Sequence, residues 1–160
     1  MTAEPFELFA ELSLALIGFA GVAASFAGRD RDFSQIDRIR LLGVITPSSL
    51  TLFGAILIPV LQASHVEFQD CLVVVSLFAA VVQVALACSF LPQGFSVSRN
   101  PETTSESWTP WVFSLYYAAT AVAYVVSALA GGLAGIVLAN FAVQLAISIW
   151  AFWRLLTRGS

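Results

Sequence analysis

The 160-residue sequence contains no lysine, one histidine (His65) and only two cysteines. Without lysine there is no Schiff-base attachment for retinal, and one histidine provides neither paired axial imidazoles for a b-type haem nor a histidine-rich metal site. Cys71 and Cys88 sit in one apolar run, and on a helix they are separated by roughly 25 Å, beyond disulfide reach. There is no glycine-rich phosphate loop ending in Gly-Lys-Ser/Thr and no nucleophile elbow. The sequence therefore predicts a protein that is not an enzyme, with no catalytic residues, no metal and no cofactor. A net charge of −3 with only seven cations, all arginine, argues against nucleic acid as a partner, because counterion release from phosphates needs clustered basic charge.

Charge is scarce and apolar surface is abundant. Hydrophobic residues make up 59% of the chain, charged residues 11%, and the mean hydropathy is +0.88. Too little polar surface remains to coat a water-soluble globule, so the lipid bilayer is the expected solvent. The opening Met-Thr-Ala-Glu-Pro-Phe-Glu is acidic where a cleaved signal is basic, so the first apolar run is expected to be retained.

A helix needs about 20 apolar residues to cross the hydrocarbon. Runs of that length predict an all-α integral membrane bundle of about five transmembrane helices in one domain, residues 1–160, with spans at 6–28, 41–63, 71–91, 110–130 and 133–155. Segment two carries Pro47 and Pro59, which remove amide donors and predict a bent helix. The stretch 92–109, with its prolines, serines, Arg99, Glu102 and Glu106, reads as the only sizeable loop. Taken as one helix, the run from Trp108 to Leu156 would be roughly 73 Å long, more than twice the hydrocarbon thickness. It must reverse, and Gly131-Gly132 is where the backbone can do so. Trp108, Trp111, Trp150 and Trp153 suit the interfaces as anchors.

Arginine placement supports the reversal. With five spans, Arg29, Arg31, Arg38, Arg40, Arg99, Arg154 and Arg158 all fall on one side, as the positive-inside rule requires. This predicts an outside N-terminus and a cytoplasmic C-terminus in a bacterial-type inner or plasma membrane. The same count admits four spans plus a re-entrant or interfacial first helix, but that segment lacks the basic polar face of an interfacial helix.

Segment one carries the most suggestive pattern. Glu4, Glu7, Glu11, Leu14, Gly18, Gly21, Ser25 and Gly28 recur at alternating three- and four-residue steps, forming one helical stripe. Three carboxylates lead into small residues, so several copies around an axis would present acidic rings above a narrow wall, an arrangement that favours cations. Glu11 would lie about 10 Å deeper than Glu4, and a carboxylate at that depth is a functional candidate by default. Small residues at this spacing also let membrane helices approach closely, which is the structural alternative. The six residues Gly-Phe-Ala-Gly-Val-Ala at 18–23 resemble a stretch in the pore helix of Orai-type calcium channels. The acid follows that stretch there and precedes it here, so no residue role is carried over.

Asn140, Gln144 and Ser148 form a second stripe, at four-residue steps in segment five. Amides at hydrocarbon depth need partners, which Gln83 in segment three and Thr46, Ser48, Ser49 and Thr51 in segment two can supply. Interhelical hydrogen bonding is the primary expectation, and a solute path beside Pro47 is the sharper one. His65, near Glu67 and Asp70, reads as a solvated turn.

These features predict an oligomeric channel-like protein, a homo-oligomer with Glu4, Glu7, Glu11, Gly18, Gly21 and Ser25 lining an ion pathway for cations or protons. The alternative is a membrane anchor or sensor subunit that docks a cytoplasmic protein through Arg29–Arg40 and the loop near Ser96–Trp108. Five spans do not divide into equal inverted repeats, which disfavours a transporter built on them.

Overall fold

In lipid a chain cannot leave backbone amides and carbonyls open, and helices satisfy them locally. The computed structural model describes residues 4–30, 35–98 and 108–157, and every regular element among them is helical. The order is α1 (Glu4–Asp30), α2 (Gln35–Ala63), α3 (Phe68–Ser98), α4 (Thr109–Leu129) and α5 (Ala134–Leu156). All five are long and apolar enough to cross a membrane. The segment 31–34, between Arg29 and Arg40, and residues 99–107, which make up half of the expected 92–109 loop, lie outside the described residues.

The chain forms two compact units, Met1–Phe68 with Leu138–Ser160, and Gln69–Val137. In the first unit α1 packs on α2, and its buried residues Phe6, Ser13 and Ala20 stand at seven-residue steps. That period returns a side chain to nearly the same face of a helix. An edge-to-face aromatic cluster holds the start of α1. Phe6 meets Phe68 and Phe141 at 6.2 Å each, and Phe9 meets Phe141 at 5.8 Å. On α2 the buried line is Val44, Ser48, Thr51, Ala55 and Ile58, again at alternating four- and three-residue steps. The helix runs unbroken through Pro47 and Pro59.

α2 ends in a turn in which the amide of Val66 reaches the carbonyl of Leu61 (3.3 Å) and the amide of His65 reaches that of Gln62 (3.0 Å). This paired closure needs a left-handed residue at the position His65 occupies. His65 adopts φ 63° there, and its side chain is exposed.

In the second unit α3 and α4 run antiparallel. Ser76 Oγ lies 3.3 Å from Ser127 Oγ near one end of the pair, and Ser114 Oγ donates to the Ala87 carbonyl (3.0 Å) toward the other. Phe90 stacks on Phe113 at 5.4 Å and on Tyr117 at 5.5 Å. The contact continues past the expected end of segment three. α3 passes through Pro92 to Ser98, where 92–98 reads from sequence as loop. Proline removes one amide donor but leaves the following turns able to form, and tertiary contact holds them. Phe95 meets the Trp111 ring edge-on at 5.0 Å, and Gly94 lies so close to it that a Cβ would stand 2.9 Å from the indole.

The reversal after α4 is built on Gly131 and Gly132, with φ of 79° and 81°. The amide of Gly132 bonds the Ser127 carbonyl (2.9 Å) and that of Gly131 the Ala128 carbonyl (3.1 Å), closing the helix end. A Cβ on Gly132 would fall 2.6 Å from the Gln69 carbonyl oxygen, so only glycine lets this turn sit against the start of α3.

Candidate functional site

α1 is the least covered of the five helices. At about 100° per residue its described side chains divide into three faces about 120° apart. Phe6, Ser13 and Ala20 form the packed face. Leu8, Leu12 and Phe19 form an exposed face of large apolar groups, which suits hydrocarbon. The third face carries Glu7, Glu11, Leu14, Gly18 and Gly21, all exposed. A Cβ at Gly18 or Gly21 would meet nothing within 4 Å. The described part of the predicted stripe, Glu7 to Gly21, is thus an outer face of the chain. Glu4 and Ser25 belong to the same helix, but their side chains lie outside the described ones.

The polar residues of α5 turn inward within the first unit. Asn140, Gln144 and Ser148 are all buried. Thr51 Oγ1 donates to Gln144 Oε1 at 3.0 Å, joining α2 to α5. Ser148 Oγ lies within hydrogen-bonding distance of two carbonyls, that of Gln144 one turn earlier (3.0 Å) and that of Val44 on α2 (3.2 Å). Val44 is next to Gly43, whose carbonyl loses its usual amide partner because residue 47 is proline. The hydroxyl therefore sits where the proline disturbs the backbone ladder. Of the α2 residues expected to contribute, Thr46 is half-buried and Ser49 exposed, whereas Ser48 and Thr51 lie on the buried line.

Gln83 belongs to the second unit and is fully buried. Among the described residues its amide nitrogen and oxygen have no hydrogen-bond partner, and the same holds for Ser48 Oγ, Asn140 Nδ2 and the Tyr116 and Tyr117 hydroxyls. The Ser76–Ser127 contact and the Ser114–Ala87 bond were not anticipated from sequence. The available signal was the spacing on α3, where Ser76, Gln83, Ala87 and Phe90 follow steps of seven, four and three and so share one face.

Elsewhere, Arg154 lies 6.0 Å from the Trp150 ring, Arg38 is exposed and Arg40 buried. Among the described residues no three His, Cys, Asp or Glu side chains gather into a metal-binding group.

Long apolar helices and outward residues such as Leu115 (73% exposed) and Leu129 (85% exposed) define an integral membrane protein whose solvent is lipid. No family model, curated protein or solved structure matches the chain, so its particular function rests on its own residues.

Proposed function

We propose that the protein is a homo-oligomeric, channel-like membrane protein in which α1 helices from several copies surround a path for cations or protons. The observation that carries this reading is the outward face of α1, where Glu7, Glu11, Gly18 and Gly21 are all exposed beside a single large apolar residue, Leu14, while Leu8, Leu12 and Phe19 occupy a different exposed face. A carboxylate on a lipid-facing surface is costly unless another protein surface or water covers it. Neighbouring copies meeting at this face would hydrate Glu7 and Glu11 in a shared path and place Gly18 and Gly21 where it narrows. Acidic rings of this kind attract cations. In this reading the N-terminus lies outside and the C-terminus in the cytoplasm, across a bacterial-type inner or plasma membrane.

The test is flux through protein reconstituted in liposomes, with a known channel as positive control. Wild-type protein should pass cations or protons, and Glu11→Gln should change the selectivity. Absence of flux from wild-type protein, with the control active, would remove the proposal.

A further inference from the structure

The seam between α3 and α4 is crossed by two polar contacts and an aromatic stack that share one antiparallel register. Ser76 stands opposite Ser127, Phe90 opposite Phe113, and Ala87 opposite Ser114. Continuing this antiparallel register sets Gln83, seven residues after Ser76, opposite Thr120, seven residues before Ser127. Gln83 shares the α3 face that carries Ser76, Ala87 and Phe90, so it looks across the seam. The levels on either side are closed by direct hydrogen bonds. At this one, both polar atoms of the fully buried Gln83 amide lack a partner among the described residues.

Thr120 is also buried. Its Oγ1 lies 3.0 Å from the carbonyl of Tyr116 and 3.1 Å from that of Tyr117, so its proton is directed into its own helix. The lone pairs of that oxygen remain able to accept. Small buried residues surround the level, with Ala79, Ala80 and Ala87 within a turn of Gln83 and Ala121 beside Thr120. Alanines hold the helices close while leaving little side-chain bulk around the amide. A buried amide left unpaired is destabilising, and a bound water characteristically makes about three hydrogen bonds to such groups. Gln83 Nε2, Gln83 Oε1 and Thr120 Oγ1 offer one donor group and two acceptors.

We propose that Gln83 and Thr120 form an intramembrane binding site for a small uncharged hydrogen-bonding molecule, with water as its resident occupant bridging α3 to α4. The ligand is uncharged because neither side chain carries a charge to pair with an ion out of water. The site is independent of the oligomeric pathway along α1 and stands or falls separately from it.

Water-edited solid-state NMR on protein in lipid bilayers, labelled with 15N at glutamine side chains, tests this site. The Gln83 amide is assigned through its own carbon connectivity and checked by its loss in Gln83→Leu. Wild-type protein should show transfer from water to the Gln83 amide despite its burial. Transfer should fall several-fold in Thr120→Val, which removes the acceptor, and persist in Thr120→Ser, which keeps it. A Gln83 amide that receives nothing from water, equal transfer in wild type and Thr120→Val, or loss in Thr120→Ser would each overturn the assignment.

Discussion

Thr51 on α2 donates its hydroxyl proton to the side-chain oxygen of Gln144 on α5 across 3.0 Å, between two buried residues 93 positions apart in the chain. Hydrogen bonds between membrane helices contribute about 0.6 kcal/mol on average and up to about 1.7. Thr51→Val should therefore lower stability by about 1 kcal/mol in detergent unfolding. A double-mutant cycle with Gln144→Leu should show positive coupling, whereas strictly additive effects would mean the bond contributes nothing.

Gly131 and Gly132 should differ in their tolerance of alanine. Both have positive φ, which costs a residue with a Cβ about 1–2 kcal/mol. Gly131→Ala meets only that penalty, because nothing lies within 4 Å of the added carbon. Gly132→Ala also drives its Cβ against the Gln69 carbonyl and should be clearly the more destabilising by thermal unfolding.

His65 presents the opposite case, a non-glycine residue at a left-handed helix end. His65→Gly should raise stability by about 0.5–1 kcal/mol, since relief of backbone strain exceeds the added freedom of the unfolded chain. A fall in melting temperature would show that the exposed imidazole contributes something the turn geometry does not.

Gly18→Leu separates the fold of one protomer from its assembly. The substitution adds bulk to an open helix face, so protomer stability should stay within about 0.5 kcal/mol of wild type. If copies meet at this face as proposed, cross-linking or mass measurement in mild detergent should show an oligomer for wild type that is lost or reduced in the variant. An unchanged assembly would place any interface on another surface.

Much of the architecture is legible in the sequence, and particular residues show why. Pro110 in the first turn of α4 and Gly131-Gly132 at its end bracket that helix in the sequence itself. Pro92 misled in the other direction. It reads as the end of segment three, yet α3 continues to Ser98 because Gly94 and Phe95 pack against Trp111, a contact from another helix that local propensity does not contain. The polar stripe on α5 was visible from four-residue spacing, but the choice of Thr51 over Ser49 as a partner was not. Both are hydroxyl residues on α2, and only the rotation of that helix puts one inside and leaves the other exposed.

The sequence by itself determined the all-α class, the presence of five helices of membrane-crossing length and the glycine reversal. A lipid solvent demands long uncharged runs and self-satisfied backbone, and both requirements are written in composition and spacing. Tertiary structure decided which face of each helix is covered. Periodicity placed Glu7, Glu11, Gly18 and Gly21 on one side of α1, but only packing through Phe6, Ser13 and Ala20 turned that side outward. The register of α3 against α4 likewise set Ser76 opposite Ser127. A helical stripe fixes direction relative to its own axis alone, and what lies opposite depends on the helix that packs there.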